Sequence, residues 1–185
     1  ILIIGGAFWI MNESRAIDVA IRSFLRLSRK TEHYRLVKKI GSDNIIFVLI
    51  MTMFSFFGAV FGMSEETIAF IIIFVPLAIS MGYDSVVGVS LCFVAAGLGF
   101  AGAILNPFTI GIAQGLSGLP LFSGIGYRLF CWVVISITGF IFILRYAARI
   151  KRNPSLSAVR EDDIYWHNRQ ADNAAEIEYH TPVSA

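Results

Sequence analysis

The strongest constraint on this chain is a polar knot inside a long apolar stretch. From Ile45 to Tyr127 there is no lysine or arginine, and the only acids are Glu65, Glu66 and Asp84. Two of them are adjacent, in Gly62-Met63-Ser64-Glu65-Glu66-Thr67, with apolar sequence from Ile45 to Phe61 before and from Ile68 to Ile79 after. Carboxylates so placed must face water, face a cation or be protonated. Within a membrane segment they mark a functional site by default, because an unpaired charge there is costly. The knot reads as part of a transport site at the point of a helical hairpin.

A membrane setting is implied by the same stretch. Of 185 residues, 56% are hydrophobic and 15% charged, well below the charge of an ordinary soluble domain. The apolar runs approach or exceed the ~20 residues that cross a bilayer core, and none alternates with period two as a membrane β-barrel requires. The expected class is all-α integral membrane. Ile1 opens inside an apolar run with no basic segment before it, so it is not a signal peptide, and the chain is expected to be part of a longer protein. Cys92 and Cys131 lie in apolar runs and have no metal-binding spacing. No cofactor, metal site or catalytic residue is expected, and His33, His167 and His180 read as surface histidines.

Taken in order, residues 1–11 read as the end of a transmembrane helix with Trp9 at the interface. Residues 12–43 form a basic amphipathic segment: Arg15, Arg22, Arg26 and Arg29 recur at helical spacing with Ile17, Ile21, Phe24 and Leu25 on another side. Such a segment lies in the headgroup layer facing anionic lipid. Nucleic acid is not an expected partner, since membrane segments hold the run on both sides.

Residues 44–81 then suggest two short limbs joined at 62–67. The second limb, Thr67 to Met81, is short for a ~30 Å core and carries Pro76. A re-entrant hairpin suits these lengths better than two full spans. Two carboxylates at mid-depth cost on the order of 5–7 kcal/mol and the apolar content of the second limb returns roughly 3–5, so the tip needs partners. Gly82-Tyr83-Asp84-Ser85 is a turn, with Asp84 expected to cap the next helix. Residues 82–117 read as a transmembrane helix broken at 106–109, where Pro107 disfavours helix at Asn106. Its middle, Ala95 to Ala103, is nearly all small residues, which lets helices approach closely. Residues 118–126 form a loop and 127–148 a clean span. Residues 149–185 form a polar tail or linker that could hold a short helix. Basic residues near membrane ends put both 12–43 and 149–185 in the cytoplasm. Four full crossings satisfy that parity as well as a hairpin does.

The same residues carry a resemblance. Phe61-Gly62-Met63-Ser64-Glu65-Glu66, Gly82-Tyr83-Asp84-Ser85, Asn106-Pro107-Phe108, Ala113-Gln114-Gly115 and Lys151-Arg152-Asn153-Pro154 resemble the YfcC-type carriers. These are DcuC-like anaerobic C4-dicarboxylate carriers of the ion transporter superfamily. The resemblance covers essentially the whole chain. It implies half of an inverted-repeat secondary transporter in a bacterial inner membrane, with a re-entrant hairpin meeting a broken helix near mid-membrane. The second repeat would be the missing partner, and a homodimer is admitted.

The substrate or ion site is expected from Gly62, Ser64, Glu65, Glu66, Thr67, Asn106, Pro107 and Thr109. Dicarboxylate hairpins of the superfamily carry a Ser-Asn-Thr signature, from which Ser64-Glu65-Glu66-Thr67 departs. Two acids repel a dicarboxylate and favour a cationic or zwitterionic substrate, or a coupled Na⁺ or H⁺. The expected function is therefore ion-coupled symport or antiport of a small organic ion, amino acid or dicarboxylate. The alternatives are a structural membrane subunit and an intramembrane enzyme. The enzyme fits worse, because adjacent acids on a helix point about 100° apart and cannot share a proton across a cleft.

Overall fold

In the computed structural model, residues 42–168 are described. The expected helix end at 1–11, the basic segment 12–41 and the tail beyond 168 lie outside them. The chain divides into two compact units at Leu49/Ile50. The described part of the first is the opening of helix α1 (Ser42–Phe61). The remaining described residues, from Ile50 on, make up the second unit.

All regular structure among the described residues is helical. After α1, a 3₁₀ turn (Glu65–Thr67) leads into α2 (Ile68–Ser80). The turn Met81–Asp84 precedes α3 (Ser85–Val89), which runs through a π turn (Ser90–Val94) into α4 (Ala95–Gly102). After four non-helical residues, a second π turn (Pro107–Gly111) continues as α5 (Ile112–Leu116). The long α6 (Ile125–Arg152) and a 3₁₀ turn (Pro154–Leu156) complete the order. Among the described residues, three stretches are long and apolar enough to cross a membrane: Asp43–Phe61, Ser85–Leu116, which is bent, and Ile125–Arg152. With 13 residues, α2 spans about 20 Å at 1.5 Å per residue and falls short of such a length.

Small residues decide how closely these helices approach. A Cβ on Gly58 would overlap the Ala96 carbonyl oxygen, and one on Gly99 would overlap that of Ser55. Backbone therefore packs directly on backbone between α1 and α4, as small-residue interfaces in lipid do. Gly102 lies against Trp132 in the same manner, whereas Gly97 faces open space. Beside this contact the Ser55 and Ser136 hydroxyls are 2.9 Å apart, and Trp132 Nε1 donates to Ser55 Oγ at 3.0 Å. This small polar knot joins α1 to α6.

Pro76 does not interrupt its helix as expected from sequence, since α2 runs continuously past it. The two π turns have local causes. In the first, Ser90 Oγ donates to Val86 O at 2.6 Å, competing with the backbone ladder as hydroxyls in membrane helices do. In the second, Ile110 N and Gly111 N both donate to Asn106 O, at 3.1 and 3.2 Å, so the first turn is wound one residue wide.

Candidate functional site

The bent helix comes apart at Ala103–Asn106. This lies upstream of the 106–109 expected from sequence, because a proline tolerates the first turn of a helix. Pro107 begins the second half instead of ending the first. The first half ends at Ala103, in the left-handed region at φ 43°, where glycine is the usual residue.

Neighbouring elements hold the opened backbone. Leu105 N donates to Ala59 O of α1 at 3.0 Å, and Arg128 Nε of α6 donates to Ile104 O at 3.2 Å. Arg128 also donates to Phe122 O at 3.1 Å and to Ser123 O. A lone arginine at a span's end was legible in sequence, but its role as a brace for the break was not. Gln114 is a brace too: it donates to Ser123 O at 3.0 Å and accepts from Phe122 N at 2.6 Å.

Asn106 is fully buried, and its Oδ1 caps the second half by accepting from Phe108 N at 2.9 Å and Thr109 N at 3.3 Å. Because Oδ1 takes those two donors, the orientation of the amide is fixed and Nδ2 is left as the outward donor. That Nδ2 is buried without a partner, and so is Thr109 Oγ1. Buried polar atoms normally find partners. Here two within three residues, at a helix opening, have none among the described residues. Pro107, between them, is exposed.

The 62–67 turn closes on this point through its glycine. Gly62 is buried at φ +72°, and a Cβ there would lie 2.6 Å from Asn106 Oδ1 and 2.7 Å from Phe108 Cδ2. Only a residue without a side chain, and at ease in the left-handed region, fits. The turn is internally wired. Ser64 N donates to Glu66 Oε2 at 3.2 Å, while Thr67 N and Thr67 Oγ1 donate to Ser64 O at 3.1 and 2.5 Å. Thr67 is buried with its hydroxyl proton committed, whereas Glu65 and Glu66 are exposed. The contact with the break is thus made by Gly62 and not by the acids in which sequence reasoning placed the weight.

A turn at which one helix ends and the next begins, packed on the opening of a bent apolar helix, is a geometry found in carriers. The comparison with known families agrees: the model of the C4-dicarboxylate anaerobic carrier family, DcuC, matches residues 1–183. The chain belongs to that family. The family is one of membrane carriers, and the three apolar stretches suit a multi-pass membrane protein. It is 40% identical over 171 residues to the protein named "Putative basic amino acid antiporter YfcC" of Escherichia coli (strain K12), covering 92% of this chain and 32% of that protein. It is 28% identical over 173 residues to an uncharacterized protein of Haemophilus influenzae (strain ATCC 51907 / DSM 11121 / KW20 / Rd), covering 94% of this chain and 32% of that one. The chain therefore spans about a third of the length of these curated relatives. No solved structure matches it.

Sequence reasoning missed one cluster. Asp84 caps α3 as expected, accepting from Val87 N at 3.0 Å. Its other oxygen accepts from Tyr146 OH at 2.7 Å and Ser157 Oγ at 2.8 Å. Asp163, from the acidic run in the tail, accepts from Ser85 N at 3.2 Å. The tail, in which the sequence shows no chemistry, is fastened to the start of the bent span. Only the acidic run Glu161-Asp162-Asp163 hinted at this.

Proposed function

We propose that the chain is part of one half of an ion-coupled secondary transporter, with its share of the substrate or ion site at the 62–67 turn and the opened helix. The unpartnered pair, Asn106 Nδ2 and Thr109 Oγ1, carries this reading. A free amide donor beside a free hydroxyl suits the carboxylate of an amino acid. The Glu65 and Glu66 carboxylates suit its cationic end, or a coupled Na⁺ or H⁺. No lysine or arginine between residues 45 and 127 competes for them.

A basic amino acid, the class in the name of the Escherichia coli relative, fits this charge pattern better than a dicarboxylate. The shortness of α2 supports a re-entrant hairpin over two spans. The Arg149, Lys151 and Arg152 cluster at the end of α6 supports a cytoplasmic tail. The remaining site groups would come from the second, inverted repeat, so transport belongs to the full-length protein.

The test is uptake by the full-length protein in proteoliposomes, screened against lysine, arginine, succinate and fumarate under imposed Na⁺ or H⁺ gradients. Gradient-driven uptake of a basic amino acid, uncoupled by Glu66→Gln, is expected. Uptake that stays coupled in Glu66→Gln would remove the acid from the mechanism.

A further inference from the structure

Beside the Lys151–Arg152 end of α6, the tail folds over the start of α3 and leaves a cavity of about 380 Å³. Tyr83, Asp84, Ser157, Arg160, Asp163 and His167 contribute to its wall. It shares no residue with the 62–67 turn or the opened helix, so nothing said about it depends on the transport reading.

Two carboxylates, 3% and 4% exposed, face this cavity in different states. Asp84 has both oxygens occupied, by Val87 N on one side and by the Tyr146 and Ser157 hydroxyls on the other. Asp163 has one oxygen on Ser85 N, and its Oδ1 is buried with no partner. A buried carboxylate oxygen with nothing to accept from is among the costliest groups a fold can keep. Its chemistry defines what would relieve it: a hydrogen-bond donor carrying positive charge. Anions are repelled, and a neutral hydroxyl leaves the charge uncompensated. Among the described residues no three His, Cys, Asp or Glu side chains are grouped to hold a metal ion, so the donor set suits a polyatomic cation with directed N–H bonds. One such group, Arg160, is already part of the wall, and the Lys151 ammonium sits 4.5 Å from the centre of the Tyr83 ring, which also lines it, a cation–π placement.

We propose that this cavity binds the protonated amino group of a small organic amine, with Asp163 as its acceptor after a turn of the carboxylate that uncovers Oδ1. Because the tail and the start of the bent span both wall the cavity, occupancy would tighten the hold of one on the other.

The experiment uses the full-length protein in nanodiscs and 1,5-diaminopentane as probe, titrated calorimetrically. Saturable binding is expected, unchanged in Glu66→Gln, which removes an acid that would hold the diamine at the 62–67 turn, and weakened at least about tenfold in Asp163→Asn, the loss expected when one partner of a buried charged pair is removed. In the Glu66→Gln protein, the diamine should slow proteolytic release of the tail and NaCl at equal ionic strength should not. That measurement decides alone should Asp163→Asn fail to fold. Absence of saturable binding, an unchanged Kd in a folded Asp163→Asn, or equal protection by NaCl would each overturn the proposal.

Discussion

Two helix starts in this protein use one device to opposite ends. Asp84 caps α3 and Asn106 caps the second half of the bent helix, each through its Oδ1, and each comes directly after a packed turn. At Asp84 the remaining oxygen is filled by two hydroxyls from distant elements, Tyr146 and Ser157. At Asn106 the remaining nitrogen is buried with nothing to bind, three residues from an equally unpaired Thr109 hydroxyl. The first start is closed chemically and fastens elements together. The second is held by its surroundings, through Ala59 O, Arg128 and the Gly62 contact, while its own polar groups stay uncommitted. A cap whose groups are all satisfied serves stability. A cap left partly unsatisfied carries a cost, which the proposed binding role would explain.

The comparison can be broken most forcefully at Asp84. Asp84→Ala removes a cap and the acceptor of two hydroxyls, and should cost about 3 kcal/mol. Thermal unfolding of the full-length protein in nanodiscs measures this, and a loss below ~1 kcal/mol would mean the fastening is not what the hydrogen bonds imply.

Two of the left-handed glycines, Gly62 and Gly82, sharpen the contrast. Gly62→Ala adds backbone strain and drives a Cβ into Asn106, so it should cost about 2 kcal/mol and abolish transport. Gly82 has φ +84° with nothing within 4 Å of a built Cβ, so Gly82→Ala should cost only strain, ~1 kcal/mol, and leave uptake in place. Equal effects on uptake would erase the distinction between the two starts. Smaller still, Tyr146→Phe removes one of two hydroxyls from Asp84 and should cost about 1 kcal/mol in the same unfolding measurement, with uptake retained.

Much of this layout was legible in the sequence, and the reasons are specific. The run from 45 to 127, free of basic residues, makes a membrane protein hard to avoid, and Asn106-Pro107 inside an apolar run announces an opened helix. Asp84 before Ser85 reads as a cap because short carboxylates serve that purpose locally. What stayed hidden depends on contacts distant in sequence. Ser157 and Tyr146 meet Asp84 across 73 and 62 residues, and no periodicity encodes that. The acids at the turn drew attention because charge is conspicuous, yet the contact with Asn106 needs the absence of a side chain, which Gly62 supplies. Pro76 and Pro107 both fall in apolar runs. One sits inside a continuous helix and the other at the start of a new one, where Asn106 supplies the cap.

The central claim is that the unpaired groups at the opened helix are kept for a ligand. Thr109→Val tests it most directly, because the swap preserves shape and removes a hydroxyl that has no partner among the described residues. Counterflow uptake and unfolding should be recorded on the same full-length preparation. The expected result is unfolding unchanged or improved by up to about 1 kcal/mol, with uptake slowed at least about tenfold, or ~1.4 kcal/mol in the barrier. A Thr109→Val protein that transports at the wild-type rate would contradict the claim.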